Sequence, residues 1–199
     1  TAARRAKTLI FDLDETLIHC NENQLGPCDA KIPVTFPSGE RMEAGINVRP
    51  YAKELLVEMA AHFEVIVFTA SHSCYANPVI DYLDPQRVVA QRLFREHCSL
   101  LAEGLYTKDL SVIKNRQPKD LILVDNAVYS FYMNLGNGVS IIPFYHSKQD
   151  TELVKLRALL LSLRDVEDVR EAINGYFRWD LFRRHAHDPD RLLARLLEA

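Results

Sequence analysis

Short, largely apolar runs alternate with longer amphipathic segments along this chain. The apolar runs lie at 9–11, 64–69, 121–124 and 139–142. Runs of this length, bounded by polar or turn-forming residues, are typical of strands that are buried in a parallel sheet. We therefore predict four parallel strands, with a further extended piece over 88–94.

The segments between these runs have the residue spacing of helices. The first helix is predicted to open at Arg49-Pro50, and its apolar residues recur at helical intervals: Ala52, Leu55, Leu56, Met59 and Phe63. Further helices are predicted after residues 70–73 as far as Leu83, over 150–163 with Asp150 as the cap, and over 165–177. This alternation predicts an α/β fold, with a doubly wound, mostly parallel sheet flanked by helices.

Two parts of the chain depart from the alternation. Residues 21–47 contain several Gly and Pro residues between short β-prone pieces, which predicts a small antiparallel insert after the first strand. The tail over 179–199 is predicted to be helical, and one apolar stripe favours packing on the domain over docking elsewhere: Leu192, Leu193, Leu196 and Leu197. With 199 residues and no repeat or linker, the whole chain, 1–199, is expected to form one domain.

Composition narrows the range of partners. The net charge is −3 and no Lys/Arg run is present, so we expect neither nucleic acid nor an anionic membrane as a partner. No apolar run approaches the roughly 18 residues of a spanning helix. Four cysteines without paired short spacing argue against a zinc site or a disulfide scaffold. We expect a monomer in a reducing compartment, nuclear or cytoplasmic.

Two aspartates, Asp12 and Asp14, follow the first predicted strand one residue apart. Ligands of open α/β sheets bind outside the carboxyl ends of the strands, which is where this pair falls. Of two adjacent carboxylates, one can act as the nucleophile and the other as the general acid/base. Because their negative charges repel each other, the pair implies a bound divalent cation. The alternative is a strand that ends in an acidic turn. Polar residues also end two further strands, namely Thr69 and the pair Asp125-Asn126.

The order of these residues, with Lys108 between the last two, resembles the motif series of haloacid dehalogenase-superfamily phosphatases. The segments 68–71, 92–98, 106–110 and 124–126 are similar to those of the small C-terminal-domain phosphatases of RNA polymerase II. The resemblance extends from about Lys7 to Phe177 and implies a haloacid dehalogenase-like fold. It also implies a Mg²⁺-dependent phosphoprotein serine/threonine phosphatase that acts through an aspartyl-phosphate.

Residue roles follow from the same resemblance. Asp12 is expected to attack phosphorus, Asp14 to protonate the leaving oxygen, and Lys108 and Thr69 to stabilise the phosphoryl group. The expected Mg²⁺ ligands are Asp12, the Asp14 carbonyl and Asn126, with Asp125 supporting the metal-bound waters. The candidates for substrate contact are Thr16, Ser71, Tyr75 and Arg95. Three of these residues have an alternative role. Thr16 could instead brace the loop, Tyr75 could pack in the core, and Arg95 could form an ion pair on the surface.

The small insert bears on the substrate. About 27 residues are too few to form a large cap, and an open pocket suits a phosphorylated side chain on a protein. The apolar residues of the insert either accept a substrate proline, as in the polymerase-tail phosphatases, or form a mini-core: Leu25, Ile32, Val34, Phe36, Met42 and Ile46. Ala127 departs from the serine common in the family at that position, which leaves substrate preference open.

Several functions therefore remain open from the sequence. Phosphoserine of the RNA polymerase II C-terminal repeats is one candidate substrate. A Dullard-like phosphatase of a regulator of lipid metabolism, a non-catalytic phosphoprotein-binding module and a small-molecule phosphatase are the alternatives.

Overall fold

The computed structural model describes residues 7–21, 27–102, 104–185 and 187. The strands in this part of the chain are β1 Thr8–Phe11, β2 Ile18–Asn21, β3 Ala30–Thr35, β4 Arg41–Val48, β5 Glu64–Phe68, β6 Val89–Leu93, β7 Ser99–Ala102, β8 Leu105–Thr107, β9 Leu121–Asp125 and β10 Gly138–Ser140. The helices are α1 Ala52–Ala60, α2 Ser73–Leu83, α3 Glu152–Leu163, α4 Val169–Phe177 and α5 Trp179–His185. Short 3₁₀ segments lie at Arg95–His97, Leu110–Val112, Pro118–Asp120 and Val128–Asn137.

A five-stranded parallel sheet, in the order β10-β9-β1-β5-β6, forms the centre of the fold. The residues of β1 are fully buried, as expected for a strand with neighbours on both sides and helices on both faces. In the register, Phe11 of β1 lies between Val67 of β5 and Val124 of β9. The residues that follow these three strands therefore meet at one edge of the sheet. The predicted α/β fold is confirmed.

The helices bury the predicted apolar faces, but several predicted boundaries are wrong. The α1 helix begins at Ala52 instead of Arg49-Pro50, because Tyr51 before it has a φ of 73°, and α3 begins at Glu152 with Thr151 at the N-cap instead of Asp150.

The α4 helix begins at Val169 instead of 165, because the Asp168 carboxylate caps it by accepting a hydrogen bond from the Arg170 N–H at 2.9 Å. The β10 strand ends at Ser140, and Ile142, which was predicted to lie in it, is 62% exposed. The chain leaves the sheet there because the Ile142 carbonyl accepts a hydrogen bond from the Arg49 guanidinium.

The insert forms a three-stranded antiparallel sheet in the order β2-β4-β3, and β3 packs against α2. Ile32, Val34 and Ile46 are buried, whereas Met42 is 42% exposed. The described apolar residues of the insert thus mostly form a mini-core, because a small sheet must bury one face. Leu25, which was predicted to share this role, lies outside the described residues.

The 3₁₀ segment over Val128–Asn137 was not predicted from the sequence. Its Phe131 is fully buried and meets the Trp179 ring edge-on, with 5.6 Å between ring centroids. The Trp179 indole N–H donates to the Gly138 carbonyl at 2.8 Å and the ring stacks on Phe177. The start of the predicted tail therefore packs on the domain as α5. The leucines at 192, 193, 196 and 197 lie outside the described residues.

Candidate active site

Lys108 joins two aspartates at the carboxyl edge of the sheet. Its Nζ donates to Asp12 Oδ1 at 2.5 Å and to Asp125 Oδ2 at 2.6 Å. Asp12 follows β1, Asp125 ends β9 and Lys108 follows β8, so three separate strands bring the three charges together. All three residues are buried, which strengthens their electrostatic interactions. The structure thus brings the predicted nucleophile, Asp12, into direct contact with the predicted cation, Lys108.

Thr16 lies beneath Asp12 and has no exposed surface. Its hydroxyl lies 3.0 Å from Asp12 Oδ2 and 3.3 Å from Asn126 Oδ1. The chain reaches this position through a tight turn in which Glu15 has a φ of 56°. Since the side chain is fully covered, Thr16 positions Asp12 and Asn126. Of the two roles predicted for Thr16, the geometry favours bracing of the loop over contact with substrate.

Hydroxyl groups surround the second aspartate, Asp14. The Tyr75 phenol donates to Asp14 Oδ1 at 2.8 Å, and the Ser71 hydroxyl donates to Oδ2 at 2.7 Å. The Thr69 hydroxyl lies 3.4 Å from the same Oδ2 and accepts a hydrogen bond from the Ser71 N–H. Burial, and then the neighbouring Asp14 charge, raise the pKa of Tyr75, so its phenol stays protonated and donates. Thr69, Ser71 and Tyr75 therefore all lie within hydrogen-bond distance of Asp14, and the predicted contacts of these residues with the phosphoryl group and substrate stay predictions.

Arg95 lies at the mouth of the site and its guanidinium is held on three sides. Its Nε donates to the Ala70 carbonyl at 2.6 Å, and its Nη1 donates to His72 Nε2 at 3.0 Å. The guanidinium also lies over the Tyr106 ring, 5.1 Å from the centroid. These contacts pre-orient a partly exposed cation beside the aspartates. In the described part of the chain, the partners found for the guanidinium are thus a carbonyl, an imidazole and an aromatic ring.

The pKa values reflect the burial of this cluster. Burial, together with the Asp125 and Asp14 charges, raises the pKa of Asp12 to about 7 despite the opposing effect of Lys108. Burial acts to lower the pKa of Lys108, but the Asp12 and Asp125 carboxylates outweigh it and raise that pKa overall. Lys108 is consequently a permanent positive charge.

The residues around Asp12 suit a magnesium ion. One Thr16 hydroxyl has a single proton to donate, yet it lies between Asp12 Oδ2 and Asn126 Oδ1, so one of the two oxygens lacks that donor. Within the described residues, no three His, Cys, Asp or Glu side chains form a metal cage. Mg²⁺ prefers oxygen ligands and keeps several bound waters. The Asp12 carboxylate, the Asn126 amide oxygen and the Asp14 carbonyl are ligands of this kind.

An open cavity of about 900 Å³ surrounds the cluster. All the predicted site residues except Thr16 line it, and it also takes in residues that the sequence analysis missed: Glu15, His19, Asn47, Tyr106, Tyr129 and His146. Tyr106 had a signal, because it lies two residues before Lys108 and alternate residues of a strand share a face. Tyr129 had none, since it belongs to the irregular 3₁₀ segment. The cavity is open to solvent along the mouth.

Residues 7–170 match the NLI interacting factor-like phosphatase family. The chain belongs to this family. Similar proteins have phosphatase names. The chain is 40% identical over 173 residues to CTD small phosphatase-like protein 3 of Caenorhabditis elegans, and the match covers 86% of this chain and 59% of that protein. It is 37% identical over 161 residues to the human carboxy-terminal domain RNA polymerase II polypeptide A small phosphatase 2, covering 81% of this chain and 58% of that protein. The chain thus spans a little over half the length of these two relatives.

Solved structures agree with this family's fold. Fcp1, an essential RNA polymerase II CTD phosphatase, matches with a TM-score of 0.59 at 20% identity, over 79% of this chain and 49% of that chain. A variant of fission yeast Fcp1 bound to beryllium fluoride matches with a TM-score of 0.58 at 17% identity, over 92% of this chain and 57% of that chain. Among the described residues of this family member, no helix is long and apolar enough to cross a membrane.

Proposed function

We propose that this chain is a Mg²⁺-dependent protein serine/threonine phosphatase that forms an aspartyl-phosphate on Asp12. The observation that carries the proposal is the Lys108 bridge between Asp12 and Asp125, with Asp14 beside it at the base of an open cavity. A buried carboxylate held by a fixed cation, next to a second carboxylate held by hydroxyls, provides both a nucleophile and a proton donor.

Asp12 is the nucleophile of the proposed reaction. One carboxylate oxygen attacks phosphorus, the bond from phosphorus to the serine or threonine oxygen breaks, and the phosphoryl group is transferred to Asp12. Thr16 holds the carboxylate in place through Oδ2. Lys108 faces the developing charge on the phosphoryl oxygens from a buried position, where a preorganised charge is most effective.

Asp14 protonates the leaving oxygen and then removes a proton from the water that cleaves the aspartyl-phosphate. Its hydrogen-bond partners, Ser71, Thr69 and Tyr75, are hydroxyls. The Ser71 and Thr69 hydroxyls can rotate to donate or accept, so Asp14 can keep these partners in both protonation states. The three hydroxyls thus position the proton donor through both steps.

A bound Mg²⁺ would offset negative charge on the phosphoryl oxygens and on Asp12. Asp12, the Asp14 carbonyl and Asn126 would hold it, and Asp125 would support its waters. Removal of the ion leaves Lys108 as the one cation in contact with Asp12 in the described part of the chain.

The open mouth favours a phosphorylated protein as the substrate. No large cap covers the cavity in the described residues, because the insert is a small sheet packed on α2. The names of the relatives make the RNA polymerase II C-terminal repeats the first candidate, with a nuclear or cytoplasmic location. A Dullard-like phosphatase of a lipid-metabolism regulator is the alternative substrate assignment. A non-catalytic phosphoprotein-binding module would have little need for the intact set of Asp12, Asp14 and Lys108.

Phosphate release from a panel of phosphoserine, phosphothreonine and phosphotyrosine peptides tests the proposal. The panel includes Ser-Pro repeats of the polymerase tail, and each peptide is assayed with Mg²⁺ and with a chelator. We expect Mg²⁺-dependent release from serine and threonine peptides that is abolished in Asp12→Asn. Chelator-resistant release, or full activity of a folded Asp12→Asn protein, would contradict the mechanism. Release from an aryl phosphate but from no peptide would favour a small-molecule phosphatase.

A further inference from the structure

We propose that Tyr129, Tyr132 and Met133 form a docking surface for an apolar side chain of the substrate polypeptide, on one side of the phosphorylated residue. We call these three residues the tyrosine strip. This inference rests on the proposed phosphatase function and adds a specificity determinant to it.

The strip is apolar and exposed although its surroundings are well packed. Tyr129, Tyr132 and Met133 are 48%, 63% and 53% exposed, whereas Phe131 between them is fully buried. Isolated exposed apolar residues are common, but three within five positions, the first of them in the lining of a cavity, mark a candidate interaction surface. Two of the three are tyrosines, which provide large contact area at a small cost in side-chain entropy.

The backbone beneath the strip is anchored to residues 107–110, the segment that carries Lys108. The Ser130 carbonyl accepts hydrogen bonds from the Lys108 N–H at 2.6 Å and from the Thr107 hydroxyl at 3.0 Å. The Asn134 side chain accepts a hydrogen bond from the Leu110 N–H at 3.1 Å. Because the segment is held at both ends of the strip, its exposed side chains are pre-positioned relative to Lys108.

The strip continues the wall of the catalytic cavity. Tyr129 lines that cavity together with Tyr106 and Arg95, and Arg95 lies over the Tyr106 ring. From Tyr129, the exposed residues Tyr132 and Met133 extend along the chain away from the cavity lining. A polypeptide whose phosphorylated residue reaches Asp12 therefore places its flanking residues against aromatic rings on this side.

The occupant is the substrate itself because Tyr129, at the start of the strip, lines the same cavity as Asp12 and Lys108. Ile32, Val34 and Ile46 are 6%, 1% and 0% exposed, so they cannot receive a substrate side chain without opening the mini-core. Much of the remaining cavity lining is polar, including Glu15, His19, Asn21 and Asn47. Apolar contact next to the phosphorylated residue is thus available at Tyr129, where the strip begins.

A positional scan of phosphoserine peptides tests the proposal. In each peptide one flanking position carries Leu or Phe and all other positions carry Ser or Gly, and kcat and KM are measured separately. We expect an apolar residue to lower KM on one side of the phosphoserine only. The Tyr132→Ser and Tyr129→Ser/Tyr132→Ser variants should lose this preference, with an increase in KM of about two- to tenfold for each tyrosine removed.

Tyr176→Ser is the matched control, since Tyr176 is 61% exposed and does not line the cavity. It should retain the full preference of the wild type. An apolar preference that survives removal of both tyrosines, or a wild type with no positional preference, would overturn the docking surface.

The docking surface can also be tested if the chain proves not to be a phosphatase. If the wild type hydrolyses no peptide, the same labelled peptides are tested for binding to the Asp12→Asn variant by fluorescence anisotropy. Tighter binding of the apolar-flanked peptides, weakened by Tyr132→Ser and not by Tyr176→Ser, supports the strip independently of turnover. Equal binding of all the peptides overturns it.

Discussion

Arg49 donates two hydrogen bonds to the Asp150 carboxylate, from Nε to Oδ1 at 2.8 Å and from Nη2 to Oδ2 at 3.0 Å. Arg49 is fully buried, and it also donates to the Thr16 carbonyl at 3.1 Å and the Ile142 carbonyl at 2.8 Å. The pair therefore connects the turn that carries Asp12 and Asp14 to the chain before α3.

Removal of Asp150 should destabilise the protein strongly. Asp150→Ala leaves the Arg49 charge buried without its carboxylate, which costs about 3–5 kcal/mol in comparable cases. Asp150→Asn should cost less, because the amide oxygen can still accept one of the hydrogen bonds. Urea unfolding of both variants measures the difference in the free energy of unfolding.

Asp81→Ala is the control for this prediction, since Asp81 pairs with Arg92 but is 68% exposed. Its loss should cost less than about 1 kcal/mol, as is usual for surface ion pairs. Equal losses in Asp150→Ala and Asp81→Ala would show that the buried pair is not a major contributor to stability.

Gly138 should not tolerate a side chain. A Cβ at this position would lie 2.2 Å from Phe131 Cδ2, and the ring cannot move away because it is fully buried against Trp179. We expect Gly138→Ala to cost about 1–3 kcal/mol or more through overpacking. Gly175→Ala in α4 is the control, because a Cβ there meets nothing within 4 Å. It should stabilise the protein by about 0.5–1 kcal/mol. Thermal unfolding of both variants checks the opposite signs, and a stable Gly138→Ala protein would contradict the close contact.

The parts of the fold that were predicted correctly are those in which neighbouring residues alone show a clear pattern of apolar and polar positions. The buried runs of β1, β5 and β9 are continuous and apolar, so both the strands and the polar residues after them could be predicted. Asp12, Thr69 and Asp125 then meet because parallel strands align their carboxyl ends.

The parts that could not be predicted depend on contacts distant in the sequence. The segment over Val128–Asn137 has non-helical backbone angles at Phe131 and Asn134, so its apolar residues follow neither helical nor strand spacing. Arg49 gives no sequence signal of burial, because its partners Asp150 and Ile142 lie about 100 positions further along the chain. The predicted start of α4 was too early because Asp168, and not a residue near 165, caps the helix.

Lys108→Ala should reduce the rate of phosphate release far more than it changes substrate binding. The variant removes the cation that contacts both Asp12 and Asp125, and loss of one preorganised charge-stabilising group commonly lowers kcat by about 10²–10³. Steady-state kinetics with a phosphoserine peptide measures the effect, and circular dichroism confirms that the variant is folded. Lys155→Ala is the control, since Lys155 is exposed on α3 and should leave kcat unchanged. A Lys108→Ala protein with the wild-type rate would remove Lys108 from the mechanism.

The affinity for Mg²⁺ should rise with pH as Asp12 loses its proton. Burial raises the pKa of Asp12 to about 7 in the metal-free protein, from an ordinary value of 3.8. Below that pKa the ion must displace the proton, so the affinity should fall about tenfold for each pH unit, and above it the affinity should level off. Titration calorimetry at steps between about pH 5 and pH 9 measures this dependence.

The stability of the metal-free protein should change in the opposite direction. Between the ordinary pKa and the raised one, the folded protein keeps the Asp12 proton that the unfolded chain has lost, so the folded state binds more protons. The free energy of unfolding should therefore fall as the pH rises from about 4 to about 7. The Asp12→Asn variant has no proton to lose in this range, so its free energy of unfolding should depend less on pH.

The same variant is the control for the Mg²⁺ titration, and its affinity for Mg²⁺ should be weak at every pH. An affinity for Mg²⁺ that is constant through this range, or that Asp12→Asn retains, would show that Asp12 is not a ligand of the ion.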